Sequence, residues 1–220
     1  FQIPNQPTNS FSVRAIVDDA VGLSDTSIVS GINVLIEYPV LTSYSPVDEL
    51  LPFNISEIEL EFSVAMDPAT VSSISLSSAV FGDIVYTLSG TTSSFDLAFS
   101  QTMASRDTLT LTLPESLQSS FGYGFDGSGD GEAGDSQTIP LYLETLADYD
   151  GDGLVEFDDL TTFVTAWYAD DYRKELGPFT GDAPHLIPEF DGAFTILDIA
   201  AFMLMWNWSH DFTAPMARMA

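Results

Sequence analysis

One short stretch concentrates oxygen donors at a spacing that suits a hard metal ion. Asp148, Asp150 and Asp152 alternate, Gly153 and Leu154 follow, and Glu156 and Asp159 complete the run. Calcium takes about six to eight oxygens at ~2.3–2.6 Å in a flexible shell. Alternate carboxylates converge on one point when a loop curls around it, Gly153 permits the sharp turn, and Leu154 offers its backbone carbonyl. Asp159 then opens a helix, near its positive end, where a carboxylate is favourable. The predicted metal ligands are Asp148, Asp150, Asp152, Leu154, Glu156 and Asp159, for one Ca2+. Val155 is apolar, as expected where two paired loops meet in a short β-bridge.

The stretch is one member of a pair. Leu160, Phe163, Val164 and Trp167 recur on one face of a helix, and Ile199, Phe202, Met203 and Trp206 do the same. Adding 39 carries Asp152 to Asp191, Gly153 to Gly192, Asp159 to Asp198 and Phe163 to Phe202. In this register the second loop is degenerate: Ile187 stands where the first has Asp148. Glu189, Asp191, Thr195 and Asp198 remain as a second candidate set, with a backbone carbonyl or Asp182 as the substitute for the missing first ligand. Occupied and empty are both open for this loop; in the empty case Gly192 and Asp198 serve as turn and helix cap. A third acidic run, Asp126 to Asp135, alternates oxygen donors with glycine and reads equally as a metal loop or as a solvated turn.

These units follow a region of a different period. Phe11, Val13, Ala15 and Val17 alternate, Asp18 to Gly22 supplies a turn, and Ile32, Val34 and Ile36 alternate again. Ile58, Leu60 and Phe62, then Ile84 to Leu88, then Leu109, Leu111 and Leu113 continue the pattern, with turn signals at Phe81-Gly82-Asp83 and Ser89-Gly90. Short strands at this spacing predict a β-sandwich. The fold class is therefore mainly β with a small α module. The expected divisions are 1–38, the last hairpin of a preceding sandwich (or two extra strands on the next one); 39–146, a sandwich; 147–208, the paired loop–helix module; and 209–220, a tail or linker.

Composition closes off several functions. The net charge is −28 with 5 Lys plus Arg, which leaves no basic patch for nucleic acid. A hydrophobic fraction of 45% with 16 Phe and 8 Tyr argues against disorder. There are no cysteines, so no disulfides or thiolate metal sites. The most apolar run, Ile196 to Trp208, contains Asp198 and falls short of the ~20 residues a membrane span needs. Only His185 and His210 offer imidazoles, no nucleophile elbow is present, and Trp167 and Trp206 occupy core-facing helix positions. The chain reads as no enzyme.

Two resemblances sharpen this. Glu61-Phe62-Ser63-Val64-Ala65-Met66-Asp67-Pro68-Ala69-Thr70-Val71, with Ser45-Pro46 upstream, resembles the bacterial Ig-like domains of surface-layer and other cell-surface proteins. With Asp rather than Glu at the twelfth position and Leu160 after it, the first loop and its helix resemble the dockerin family, whose tandem EF-hand-like repeats each bind calcium. That resemblance implies a docking or assembly module in a secreted or cell-surface bacterial protein. Its partner would be a cohesin-like domain or another domain of the surface assembly, recognised through Phe157, Asp158, Ile196 and Leu197. Those residues differ from the small hydroxyl pairs of cellulosomal dockerins. The alternative is a structural spacer of a stalk, filament or adhesin, with the calcium module as an intramolecular cap.

Overall fold

In this computed structural model residues 8–18, 24–35, 37–48 and 50–210 are described. The N-terminal alternation gives strands β1 (Thr8–Asp18) and β2 (Ser24–Leu35), paired antiparallel from Thr8 opposite Leu35 to Asp18 opposite Ser24. Register shifts between Phe11 and Val13. The expected turn lies outside the described residues beyond Asp18, as does Ile36.

The sandwich follows. One sheet has the order β3-β4-β8-β7, with β3 Leu41–Ser45, β4 Glu57–Phe62, β7 Thr87–Thr91 and β8 Ser94–Ala98. The other has the order β10-β9-β5-β6, with β5 Ser75–Ser78, β6 Gly82–Asp83, β9 Thr108–Leu113 and β10 Gln137–Tyr142. All these pairs are antiparallel. The period-two residues of β4 and β9 are buried as their spacing requires: Ile58, Leu60 and Phe62 from one sheet share a core with Leu109, Leu111 and Leu113 from the other. Phe125, from the long connection before β10, enters that core and meets Phe62 edge-on at 6.2 Å.

Two expected turns are shifted: the chain turns at 79–81, so Phe81 lies in the turn while Gly82 and Asp83 are already strand, and Ser89-Gly90 is strand. Gly82–Asp83 pairs with Ser77 and Ser78, and Ser89-Gly90 lies inside β7. The chain reverses two residues later, through Thr92 in the left-handed region. Gly90 is there because a Cβ would collide with the Ser94 carbonyl across the ladder. Between β6 and β7, Ile84 is buried and Val85 exposed, outside any strand.

The Met66-Asp67-Pro68 motif has a local reason. Met66 is buried, the Asp67 carboxylate accepts the Ala69 N–H at 3.0 Å, and Pro68 starts the short helix α1 (Pro68–Val71). Val71 then drops into the core.

The C-terminal part holds helices α2 (Phe157–Tyr168) and α3 (Ile196–His210), a 3-10 turn at Tyr172–Lys174, and a small ladder of β11 (Phe179–Thr180) and β12 (Ile187–Pro188). Helix α3 runs through His210, so the expected tail from Ser209 begins too early; residues 211–220 lie outside the described residues. A second core joins Leu146, Val155, Phe163, Leu176, Leu186, Phe202 and Met205. Phe163 and Phe202 are buried as expected and stack at 5.5 Å. Their predicted companions Val164, Ile199 and Met203 are exposed. On α3 the buried stripe is Asp198, Ala201, Phe202, Met205 and Ser209, rotated by about one residue from the expected one.

Candidate metal centre

The loop before α2 is shaped by its own carboxylates. Asp148 accepts the Gly151 N–H at 2.8 Å with one oxygen and the Gly153 N–H at 2.9 Å with the other. Asp150 accepts from Asp152 N–H at 3.2 Å, and Asp152 from Leu154 N–H at 2.8 Å. Gly151 and Gly153 sit at φ 77° and 87°, which glycine adopts at little cost. Oxygens of Asp148, Asp150 and Asp152 come within 4.8 Å of one another. Burial pushes the Asp148 carboxyl above its ordinary range; the Gly153 and Gly151 N–H groups oppose this, and the charges of Asp159 and Asp152 add to it. An all-oxygen set with mutual repulsion is the donor chemistry a hard divalent cation relieves.

Asp159 does a different job. It is buried, and its two oxygens accept the Tyr149 N–H at 2.6 Å and the Glu156 N–H at 2.9 Å. It thereby ties the loop's entrance to the first turn of α2. Glu156 is the N-cap residue of α2, and the Leu154 side chain is exposed at the rim. The Val155 N–H donates to Ser209 Oγ at 2.9 Å, at the end of α3. The expected bridge between paired loops is therefore replaced by a helix-end hydroxyl.

The second loop corrects the register read from sequence. Asp198 is fully buried; one oxygen accepts the N–H groups of Leu176 and Gly177 at 2.8 and 3.0 Å, and the other those of Thr195 N–H and Oγ1 at 2.6 and 3.2 Å. Leu176 thus occupies the place of Tyr149. One residue earlier, buried Glu175 accepts the Gly192 N–H at 2.9 Å and the Ala193 N–H at 3.0 Å, the place of Asp148. The offset between copies is 27 at Glu175 and 39 from Asp191 onward, so twelve residues are inserted inside the second loop. They carry the β11–β12 ladder, and Ile187 pairs with Thr180 within it. Ile187 therefore does not stand at the loop's entrance; the hydrogen-bond place of Asp148 falls to Glu175, which sequence spacing missed. The signal in the chain is the acid-apolar pair Glu175-Leu176 matching Asp148-Tyr149, set just before the proline-marked segment.

The other predicted members of this set are dispersed. Glu189 is exposed and uses its N–H on the Pro178 carbonyl, and Asp191 accepts the Ala193 N–H at 2.9 Å. Asp182 is exposed, and its carbonyl accepts the His185 N–H. Among the described residues no three acids of this loop bring oxygens within 4.8 Å, as those of the first loop do. In the Asp126 to Asp135 run, buried Asp126 accepts from Gly129, Asp130 and Gly131 N–H groups at 2.6, 3.2 and 2.8 Å, and its carboxylate lies near those of Asp130 and Asp135. The predicted recognition residues Phe157, Asp158, Ile196 and Leu197 are all exposed.

The acidic loop adjoins a seam. The connection between β8 and β9 leaves Met103 in the sandwich core and turns Ser105, fully buried, toward the C-terminal part. Ser105 N–H donates to the Leu186 carbonyl at 2.8 Å, its Oγ accepts the Leu146 N–H at 2.9 Å, and its carbonyl lies 3.0 Å from His185 Nδ1. Arg106 N–H donates to the Glu144 carbonyl, and its guanidinium lies 4.8 Å over the Trp208 ring. His185 thus has a structural partner, as does His210, stacked on Trp206 at 4.6 Å.

Residues 36–129 match the bacterial Ig-like domain family. This Ig-like match spans β3 to β9 and ends before the acidic loop of Asp148 to Asp159. No curated protein sequence matches the chain. Among solved structures the chain is similar to the N-terminal part of the bacterial S-layer protein SbsC, at 15% identity and TM-score 0.35, over 50% of this chain and 24% of that one. It is also similar to surface layer protein SbsC, domains 1-6, at 14% identity and TM-score 0.34, over 50% of this chain and 14% of that one. The chain spans about a quarter or less of the length of these structures. Among the described residues no helix is long and apolar enough to cross a membrane.

Proposed function

We propose that this chain is a non-catalytic spacer segment of a secreted or cell-surface bacterial protein, in which the loop–helix unit is a calcium-stabilised cap on the Ig-like sandwich. The observation that carries this reading is buried Ser105: its N–H donates to the Leu186 carbonyl and its Oγ accepts the Leu146 N–H, so the sandwich connection is tied into the C-terminal part. In the proposed site Asp148, Asp150 and Asp152 hold one Ca2+, with the Leu154 carbonyl and Glu156 completing the shell, while Asp159 holds the loop closed on α2. Calcium binding only the folded loop adds about 2.7 kcal/mol when present at 100 times its Kd. Calorimetric calcium titration of the full chain should show one site that Asp152→Ala removes, with a melting temperature that falls on chelation. Absence of binding at millimolar calcium sinks the metal assignment. A C-terminal unit that stays folded when cut from the sandwich sinks the cap.

A docking reading, with the dockerin-like unit gripping a cohesin-like or other surface-assembly domain, has one observation in its favour: Phe157 and Ile196, each opening a helix, are about 70% exposed (69% and 72%). Calcium-dependent capture of a defined partner domain, lost in Phe157→Ala and Ile196→Ala, would select it over the spacer.

A further inference from the structure

A cavity of about 460 Å³ opens between the Ig-like sandwich and the loop–helix unit, within the ~300–1,000 Å³ range of small-molecule sites. Phe53 and Asn54 line it from the turn before β4, Glu144 from the stretch after β10, Tyr172 and Lys174 from the 3-10 turn, and Phe190 from beyond β12. Backbone bonds hold these segments. The Glu144 N–H donates to the Leu51 carbonyl at 2.9 Å, and the Met103 N–H to the Phe53 carbonyl at 3.1 Å. The Lys174 carbonyl accepts the Tyr149 hydroxyl at 2.6 Å, and the Glu189 N–H, next to Phe190, donates to the Pro178 carbonyl at 2.6 Å. The cavity is therefore preformed.

Its polar side chains divide into those already engaged and those left open. Asp148 and Glu175, at its edge, accept backbone N–H groups of their own loops, and Arg173 is paired with Asp171. Among the described residues the side chains of Asn54, Glu144 and Lys174 make no hydrogen bond and no ion pair with the protein. Lys174 Nζ lies 5.0 Å over the Tyr149 ring. Its charge opposes the upward push that burial gives the Glu144 carboxyl, so the two groups feel one another. An open acceptor and an open donor thus stand close together beside Phe53, Tyr172 and Phe190, and the last two rings are exposed.

That combination selects a ligand chemistry. An anion drawn to Lys174 also meets Glu144 and the field of a chain with net charge −28; a cation drawn to Glu144 also meets Lys174. A neutral polyhydroxy compound meets neither penalty. Each hydroxyl both donates and accepts, so neighbouring hydroxyls serve a carboxylate and an ammonium at once. The C–H face of a sugar ring gives the aromatic rings an apolar surface to cover.

We propose that this cavity is a binding site for a neutral saccharide, with Glu144, Lys174 and Asn54 hydrogen-bonding its hydroxyls and Phe190 and Tyr172 packing on its ring face. The inference needs no metal in the acidic loop.

The test titrates the full chain with three neutral disaccharides, maltose, lactose and N,N′-diacetylchitobiose, followed by saturation-transfer NMR and calorimetry. Two charged relatives run beside them: the cationic chitobiose that lacks both acetyl groups, and an anionic disaccharide of glucuronic acid and N-acetylglucosamine. At least one neutral sugar is expected to bind at millimolar concentration, about fivefold or more tighter than either charged relative. Glu144→Ala should weaken it about tenfold, by loss of a hydrogen bond to a charged group. Phe190→Ala should weaken it about three- to tenfold, by loss of the ring contact. Both positions are exposed, and circular dichroism checks that each variant folds. Binding of none of the three neutral sugars overturns the proposal, as does affinity unchanged in either variant. Equal or tighter binding of the anionic relative makes the cavity an anion site on Lys174, and of the cationic one a cation site on Glu144; either result overturns it too.

Discussion

The two loop–helix units close on their helices with the same hydrogen bonds but assemble the closure differently. In both, a buried aspartate at the helix start binds the loop's entrance through a backbone N–H, Tyr149 to Asp159 and Leu176 to Asp198. In both, the residue just before that entrance, Asp148 or Glu175, binds the glycine at the turn. The first unit does this within one continuous stretch and leaves three carboxylates facing one another. The second interrupts itself with a twelve-residue excursion, and Glu175 reaches Gly192 across 17 residues. A loop position is therefore a place in a hydrogen-bond net, and an insertion can separate it from its neighbours without vacating it.

That comparison is open to attack, most forcefully at Asp198. Four donors converge on its buried carboxylate, so Asp198→Ala should cost about 3–5 kcal/mol in urea unfolding. Asp159→Ala, with two donors, should cost less; an equal or reversed order breaks the idea that the second loop leans harder on its closing acid. Next comes Glu175→Ala, which strands the Gly192 and Ala193 N–H groups and should cost about 2–3 kcal/mol. If it proves neutral, Glu175 is not the counterpart of Asp148.

A smaller effect is expected for Asp148→Asn without metal. Burial already penalises the charge there, so stability should change by about 1 kcal/mol or less, while calcium binding measured by calorimetry disappears. The smallest effect sharpens the register. Ile187→Asp restores a carboxylate at the offset of 39, yet position 187 sits in the β11–β12 ladder. Calcium stoichiometry should stay unchanged; a gain of one equivalent would return Ile187 to the first position.

Much of this was legible beforehand, for identifiable reasons. Strands β4 and β9 each bury one face, so period two announced Ile58, Leu60, Leu109 and Leu111 as core. The first loop's acids alternate within one continuous stretch, so their spacing announced the Asp148, Asp150 and Asp152 cluster. Gly90 misled because a glycine that admits a neighbouring strand looks like one that makes a turn. Glu175 was missed because spacing arguments assume an uninterrupted loop.

Helix α3 marks the boundary between the two kinds of information. Its sequence determined that a helix would form after Thr195 and that it would be apolar, since Asp198 closes its first turn and apolar residues fill most positions after it. Which stripe would be buried was undetermined, because 198-201-202-205-209 and 199-202-203-206 both carry Phe202 and apolar companions. Packing decided it. Asp198 had to turn inward to collect the Leu176 and Gly177 N–H groups, and Ser209 to receive the Val155 N–H, and those two polar anchors rotated Ile199 and Met203 into solvent. Local chemistry chose the element; the partners brought by distant segments chose its face.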